Sequence, residues 1–434
     1  MTIKRPLAFY LTGLLLLLTM LGAMPGCGLF SVDPESHDDL WDRVRASLVL
    51  QYAYGKSAVR ERRDWFLRNP GYLTRSGKRG RRYLYHIIKE VERREMPAEI
   101  ALLPIVESAF RPFAYSPSHA SGIWQFIPAT GKRYGLEQNW WYDGRRDIPE
   151  ATRAALTYLE ELNRRFHGDW LLAIAAYNAG EGAVERAIRR NRSAGKRTDF
   201  WSLDLPSETR KYVPKLLAVA SLVEDPDRYD LSLESIPNRL YFQQVPIHGP
   251  IELELAAKAA RLSLEEFRNL NPAFRRWVTD PAGPHHLLVP KNKVKTFRKT
   301  IATIPGERRV RWHKHIVKPG ESLGTIAAWF KTTVPVLQQL NPSQGKTLTV
   351  GRTILIPTPP RANYQPNTSA GKSKTGNKKR KKNPRIHVVR PGENLWNIAR
   401  RYGLSLAQLL SWNDLSRNSI LKPGQRLRLY RLKR

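Results

Sequence analysis

The C-terminal third of this 434-residue chain contains a repeat that aligns without gaps. HIVKPGESLGTIAAWFKTTVPVLQQLN, from His315 to Asn341, matches HVVRPGENLWNIARRYGLSLAQLLSWN, from His387 to Asn413. Each copy opens with a β-rich run and a Pro-Gly turn, and two helical segments and a final strand follow. Self-similarity of this kind indicates two copies of one small fold. We therefore predict two βααβ modules, over residues 313–358 and 386–431.

A fainter third copy precedes these two modules. LSLEEFRNLNP, which ends at Pro272, resembles TVPVLQQLNP, which ends at Pro342, but Gly249-Pro250 reverses the Pro-Gly turn. Whether residues 240–292 form a degenerate module stays open at this point. Residues 359–385, between the two clear copies, are rich in Pro, Gly, Ser and Lys and have no apolar pattern, which predicts a flexible basic linker.

The N-terminus has the pattern of an export signal. Lys4-Arg5 precedes an apolar run from Leu7 to Leu21, as in a secretory signal peptide. The small residues before Cys27 resemble a bacterial lipoprotein box, so we predict a signal peptide over residues 1–26 and lipidation of Cys27. An uncleaved anchor helix and conventional cleavage near Ala23 are the alternatives. Each of the three places the rest of the chain outside the cytoplasm.

The formal net charge of +35 limits the choice of partners. A field of this sign attracts polyanions such as nucleic acid, anionic lipid or a carboxylate-bearing wall polymer. Because the leader directs the chain out of the cytoplasm, we expect the wall or a membrane face and no specific nucleic acid. Gly28, where an Asp would favour inner-membrane retention, predicts a lipoprotein on the periplasmic face of the outer membrane of a Gram-negative bacterium.

The sequence offers no recognisable metal or cofactor site. Cys27 is the only cysteine, so neither an intrachain disulfide nor a cysteine-based zinc site is available. His119 and His285-His286 have no matching Cys or acidic cluster. We also find no Gly-rich phosphate loop, and we therefore expect no metal and no cofactor.

The central part of the chain reads as helical. Arg82 to Glu95 carries an apolar stripe at helical spacing, and Asp147 and Asp169 stand where helix N-caps are expected. No strand pattern appears between Tyr83 and Val223. We predict a mostly α domain over residues 81–230, preceded by short helices over residues 27–80 that pack against it.

Glu107 is the acidic residue that stands out in this domain. It ends a hydrophobic run, Ile100 to Val106, and polar and aromatic residues follow it. Burial of this kind raises the pKa of a carboxyl group by desolvation. No further Asp or Glu occurs until Glu137. Glycosidases usually place a second carboxylate across the sugar, so the local sequence predicts one catalytic carboxylate instead of two.

Four short stretches of the helical domain, in this order, resemble the goose-lysozyme-like domain of soluble lytic transglycosylases. They are Glu107-Ser108, Gly122 to Pro128 (GIWQFIP), Ala176 to Gly180 (AYNAG) and Glu208 to Lys215 (ETRKYVPK). The C-terminal repeats resemble LysM modules, which bind glycans that contain N-acetylglucosamine. The resemblance implies a mostly α lysozyme-like catalytic domain followed by small α+β (βααβ) LysM modules.

The resemblance also implies an activity and a set of site residues. Glu107 matches the catalytic glutamate, which protonates the glycosidic oxygen between MurNAc and GlcNAc and then accepts the proton of the muramic acid C6 hydroxyl. Attack by that hydroxyl leaves a 1,6-anhydro ring. The residues implied to contact the substrate or shape its cleft are Ser108, Gln125, Tyr177, Asn178 and Tyr212.

In the LysM copies, we expect glycan binding at the first strand–helix turn. The residues concerned are Gly320, Glu321, Ser322 and Leu323 in the first copy, and Gly392, Glu393, Asn394 and Leu395 in the second.

Several alternatives stay open at the sequence level. The enzyme could be a hydrolytic lysozyme-type muramidase, or the chain could be a wall-binding scaffold with a degenerate catalytic domain. Gln125 could be an amide that only stabilises its loop. Trp124 and Phe126 fit either sugar stacking or the core, with at least one expected in the core. Tyr177 and Asn178 also fit a helix C-cap.

Overall fold

The computed structural model describes residues 38–342, 348–357 and parts of 385–429, namely 385–389, 393, 395–402, 404, 409–410, 412–413, 415, 419, 421 and 424–429. The predicted signal peptide, Cys27, nearly all of the linker, Gly392 and Asn394 lie outside these residues. The chain divides into two compact units, residues 1–363 and 364–434. No helix in the described ranges is both long enough and apolar enough to cross a membrane.

The part of the chain up to residue 230 is helical. Its described α-helices are α1 (Leu40–Ala46), α2 (Ser57–Arg68), α3 (Gly71–Gly80), α4 (Leu84–Glu92), α5 (Leu103–Ser108), α6 (Pro128–Arg133), α7 (Ile148–Arg165), α8 (Trp170–Ala179), α9 (Glu181–Ser193) and α10 (Ser207–Glu224). The two caps predicted from sequence are confirmed, since Asp147 accepts from the Glu150 amide at 3.1 Å and Asp169 from the Leu172 amide at 3.0 Å.

The N-terminal helices share one hydrophobic core with the rest of this domain. Leu40, Val44 and Phe66 are at most 1% exposed and belong to the same cluster as the interior of α10. The fully buried Glu99 also holds this segment, because its carboxylate accepts from the Leu50 amide at 2.8 Å and from the Tyr54 hydroxyl at 2.9 Å. The segment before residue 81 is therefore part of the domain.

Three antiparallel strand pairs follow in the part of the chain that the structure describes. β1 (Phe242–Pro246) pairs with β2 (His286–Pro290), β3 (His313–Ile316) with β4 (Thr353–Ile356), and β5 (Arg385–Val388) with β6 (Arg426–Leu429). The helices between them are α11 (Leu253–Ala259) and α12 (Leu264–Leu270) in the first pair, α14 (Leu323–Trp329) and α15 (Val334–Leu340) in the second, and α16 (Leu395–Arg401) in the third. A separate helix, α13 (Val294–Ala302), follows β2. Residues 242–290 thus have the same βααβ order as the second pair.

One asparagine performs the same structural task in each strand pair. Asn271, Asn341 and Asn413 follow the second helical segment, and each side chain bonds both backbone groups of a residue in the final strand. The amide oxygen of Asn341 accepts from the Leu355 N–H at 2.8 Å, and its amide nitrogen donates to the Leu355 carbonyl at 2.9 Å. The asparagine therefore acts as a short third strand that joins helix to sheet.

The domains of the first unit pack against one another. Trp141, which is 1% exposed, shares a hydrophobic cluster with residues of the 242–290 module, with Val310 and with Val336 of α15. Its indole N–H donates to the Gln339 side chain at 3.1 Å. The helical domain, the first βααβ module and the second are consequently packed together.

Candidate active site

Glu107 lies near the end of α5, a six-residue helix that begins after a buried 3-10 turn, Ala98–Leu102. The helix stops because Ala109 and Phe110 take left-handed backbone angles, with φ of 51° and 54°. Phe110 is fully buried, so packing holds this unusual turn in place. The turn leaves Glu107 half-buried, with the hydrophobic interior on one side and solvent on the other.

The surroundings of Glu107 favour its protonated form. The Tyr212 hydroxyl, on α10, donates to Glu107 Oε1 at 2.5 Å. Burial raises the pKa of Glu107, the hydrogen bond from Tyr212 and the positive charge of Lys215 lower it, and the net pKa is about 7. The raised pKa inferred from the sequence is confirmed. A carboxyl group with this pKa is able to give a proton and take one back near neutral pH.

Among the described residues, Glu208 is the acid whose charge raises the pKa of Glu107. It is exposed and lies in the first turn of α10, four residues before Tyr212. Glu107, in contrast, is held in a desolvated setting by Tyr212. The two carboxyl groups are therefore in different environments, and Glu107 has the one suited to acid catalysis.

The Gly122–Pro128 loop faces α5 and depends on glycine. Gly122 has a φ of +81°, and a Cβ there would lie 2.1 Å from the Arg145 carbonyl oxygen. Gln125, with a φ of 51°, donates from Nε2 to the Gly122 carbonyl at 2.8 Å. This bond stabilises the loop, and the amide oxygen of Gln125 has no hydrogen-bond partner among the described residues. Trp124 and Phe126 are both core residues, at 0% and 3% exposure.

Helix α8 positions two polar side chains at this loop. The Tyr177 hydroxyl donates to the Trp124 carbonyl at 2.9 Å, which ties α8 to the loop. Asn178 Oδ1 accepts from the Thr209 hydroxyl at 2.8 Å, which ties α8 to α10. Burial and the charge of Glu107 raise the pKa of both Tyr177 and Tyr212, so both phenols stay protonated.

Ser108 connects α5 to the same Gly122–Pro128 loop through a hydrogen bond. It is 2% exposed, and its hydroxyl lies 3.0 Å from the Ile123 carbonyl and 3.1 Å from that of Pro104. Because the hydroxyl is enclosed and bonded to backbone, the structure gives Ser108 a positioning role instead of the substrate contact that the resemblance implied.

Two positively charged residues that the sequence reasoning passed over also shape the site. Arg145 is buried against Asp143 at 2.8 Å and donates to the carbonyls of His119 and Phe126, which braces the loop from behind. Lys215 donates to the Val106 carbonyl at 3.1 Å, one residue before Glu107. Lys215 lies three residues after Tyr212 on α10, so helical spacing could have indicated that the two side chains are neighbours. Nothing in the local sequence indicates a role for Arg145.

In the LysM-like turns, several side chains predicted to bind glycan have structural contacts. Glu321 lies 2.7 Å from His315 and accepts from the Lys318 amide at 2.9 Å, and Glu393 lies 2.7 Å from His387. The side chains of Leu323 and Leu395 are each 8% exposed. The structure gives both leucines a packing role, because a buried side chain offers little surface to a sugar. Gly320 (φ +81°) and Ser322, which caps α14, remain at the exposed turn.

Family models match most of the chain. Residues 85–200 match the "Transglycosylase SLT domain", residues 241–306 the "Lytic transglycosylase MltD, LysM-like domain", and residues 315–357 and 387–429 the "LysM domain". The chain is 35% identical over 410 residues to membrane-bound lytic murein transglycosylase D of Escherichia coli K12, which covers 92% of this chain and 87% of that protein. The chain belongs to this family.

Membership of the lytic murein transglycosylase D family confirms the predicted resemblance and fold class. A shorter match, 51% identical over 121 residues, covers 27% of this chain and 58% of a putative tributyltin chloride resistance protein of an Alteromonas strain. Among solved structures, the 70 kDa soluble lytic transglycosylase of Escherichia coli is 23% identical, covers 46% of this chain and 33% of its own, and has a TM-score of 0.28. Tyr212 lies beyond the 85–200 match, although its hydroxyl contacts Glu107.

Proposed function

We propose that the chain is a peptidoglycan lytic transglycosylase whose LysM modules bind glycan strands. Family membership supports the reaction class. The observation that carries the mechanism is the half-buried Glu107, bonded to Tyr212, with a pKa of about 7. Such a group is partly protonated at neutral pH, which an acid catalyst requires.

The reaction then proceeds with one protein carboxyl group. Glu107 protonates the bridging oxygen between MurNAc and GlcNAc, and the bond from that oxygen to MurNAc C1 breaks. The ionised Glu107 next accepts the proton of the MurNAc C6 hydroxyl, and O6 forms a bond to C1. The carboxyl group regains its proton and no water is consumed, so a 1,6-anhydro end results. Tyr212 stabilises the carboxylate between the two steps.

The roles of the other site residues are part of the same proposal. Gln125 presents its free amide oxygen to a sugar amide. Tyr177, Asn178 and Ser108 act as positioning residues, since each ties two of the elements that form the cleft. In the first LysM copy, the exposed turn at Gly320 and Ser322 supplies the glycan contact.

Product analysis tests the mechanism. Digestion of purified sacculi, followed by mass spectrometry, is expected to give products that end in anhydro sugars, each one water lighter than the hydrolytic product. Reducing ends would instead support a hydrolytic muramidase.

Glu107→Gln is expected to lower the rate at least about a hundredfold, because general acid–base catalysis contributes that much or more. Equal, negligible rates for wild type and variant would support a wall-binding scaffold.

We further propose that the mature chain is a lipoprotein of the Gram-negative envelope, lipidated at Cys27 and held at the periplasmic face of the outer membrane. The similarity to a membrane-bound Escherichia coli protein supports an envelope location. Metabolic labelling with a fatty acid tests the anchor: the wild type should incorporate label, and Cys27→Ala should not. Label in both proteins would rule out Cys27 as the attachment site.

A further inference from the structure

A cavity of about 540 Å³ is lined by the segment from Arg111 to Tyr115, which follows the helix that carries Glu107. Eight of the residues in its wall come from the helical domain, and two, Glu265 and Asn269, come from α12 of the LysM-like module. The charged and aromatic residues that matter here are Arg79, Arg82, Arg111, Phe113, Tyr115 and Glu265. The cavity is therefore formed by two modules together.

The three arginines of this cavity have no acidic partner in the described chain. Elsewhere in the molecule arginines pair closely with carboxylates, as Arg43 does with Glu92 at 2.5 Å. Here Arg79 donates to the Ala109 carbonyl at 3.3 Å and Arg111 to the Ser108 carbonyl at 3.1 Å, and neither guanidinium forms an ion pair in the described part of the chain. Three arginines line the cavity against one glutamate, Glu265, and this excess of positive charge favours binding of an anion.

The cavity lies next to the catalytic acid. The two carbonyls held by Arg79 and Arg111 belong to the residues one and two positions after Glu107. The charges of Arg79 and Arg111 lower the pKa of Tyr72 and the charge of Glu107 raises it, although burial has the largest effect and raises it. Arg79 and Arg111 therefore contact the backbone of the turn that directly follows Glu107.

We propose that this cavity binds a carboxylate of the peptide stem that branches from the muramic acid ring. The inference rests on the proposed function and names the part of the substrate that the cavity recognises. Guanidinium groups match carboxylates in geometry and charge. Phe113 and Tyr115, 46% and 56% exposed, supply flat apolar surfaces for the stem itself.

The test uses two forms of one substrate with the full-length protein. Soluble glycan strands with intact stems are compared with the same strands after carbodiimide coupling to ammonia, which turns stem carboxylates into neutral amides and leaves the sugars unchanged. The readout is kcat/KM for release of anhydro products. For the wild type, we expect amidation to lower kcat/KM about tenfold, the usual scale for losing a charge-assisted hydrogen bond.

Charge variants then locate the effect. Arg82→Gln, and the double variant with Arg111→Gln, should lower kcat/KM on intact strands by about tenfold or more and leave the rate on amidated strands nearly unchanged. Glu265→Gln removes the acid from the wall and should raise kcat/KM on intact strands only. Arg239→Gln is the matched control, because Arg239 lines a different basic cavity and is exposed.

Two results would overturn the proposal. A wild type that does not distinguish the two substrates has no carboxylate subsite, and variants that lower both rates equally act through the position of Glu107. If the wild type releases no anhydro product from either substrate, the proposed function itself fails, and that outcome is distinct from both.

Discussion

At the residue scale, Glu107 is under two opposing influences, since burial raises its pKa and Tyr212 and Lys215 lower it. The balance leaves the pKa at about 7. Because the first step needs the protonated acid, we expect kcat/KM to fall about tenfold per pH unit above that value. A pH–rate profile on soluble glycan strands measures this limb. A rate that stays constant from pH 6 to about 9 would exclude Glu107 as the acid.

Replacing Tyr212 by Phe separates its two effects. Loss of the hydroxyl removes a hydrogen bond that favours the ionised form, so the alkaline limb should move to higher pH. The second step loses a group that stabilises the carboxylate, and we expect the maximal rate to fall by about 10- to 100-fold. A lower rate with an unmoved limb would indicate that Tyr212 serves packing alone. Tyr158→Phe is a suitable control, since its hydroxyl bonds Glu181.

The same raised pKa makes a prediction about stability. A carboxyl group whose folded pKa is about 7 and whose ordinary value is 4.5 binds its proton more tightly in the folded state. The wild type therefore loses stability as pH rises from about 4.5 to 7, and this loss persists above pH 7.

Glu107→Gln should avoid that loss. We expect it to be more stable than wild type at pH 8, by on the order of 1–3 kcal/mol, and equal to it at pH 4. Denaturant unfolding at both pH values measures the difference, with the exposed Glu307→Gln as control. A variant less stable than wild type at pH 8 would show that Glu107 carries no burial penalty.

At the scale of elements, short helices and loops are held by side-chain bonds to backbone. Asn341 illustrates this: its side chain joins the end of α15 to both backbone groups of Leu355 in β4. Asn341→Ala leaves these groups unpaired in a partly buried position, which should cost about 1–3 kcal/mol.

Thermal unfolding of the module in the full chain measures this cost. Gln338 lies in α15, three residues before Asn341, and its side chain makes no such bond to β4. Gln338→Ala should therefore be nearly neutral. Similar destabilisation by both substitutions would mean that α15 itself, and not the bridge to β4, was weakened.

At the scale of the whole molecule, the two clear LysM copies are not equivalent. The copy at 313–357 belongs to the first unit, where Trp312 packs edge-on against Trp141 and Trp277 at 6.0 and 5.8 Å. Arg311 also pairs with Glu252 of the preceding module at 3.1 Å. The second copy belongs to the other unit. The two copies should therefore respond differently to deletion.

Removing residues 364–434 should weaken binding to insoluble sacculi by about tenfold or more, through loss of avidity, and leave the rate on soluble strands unchanged. Removing residues 310–434 should also lower the melting temperature, because it uncovers Trp141 and takes Val310 from the core. Co-sedimentation with sacculi and thermal unfolding give the two readouts. Equal melting temperatures for the two truncations would show that the first copy does not brace the helical domain.

Much of the site could be predicted from the sequence because its residues lie in short, continuous stretches. The hydrophobic stretch before Glu107 predicted a desolvated acid, and the caps at Asp147 and Asp169 followed from short-range rules. Local patterns were compatible with two different roles for each of Gln125, Trp124 and Phe126. The structure resolves them through contacts, because Trp124 and Phe126 fill the core and Gln125 bonds its own loop while keeping one acceptor free.

By itself, the sequence determined the helical domain, the repeated βααβ order and the acid that ends a hydrophobic run, Glu107, because each follows from periodicity, repetition or a run of neighbouring residues. Only the tertiary structure decided which distant groups meet. Tyr212 reaches Glu107 across 105 residues, Trp141 reaches Gln339 across 198, and three arginines gather where two modules join. Such meetings depend on how whole elements pack, and no local pattern specifies them.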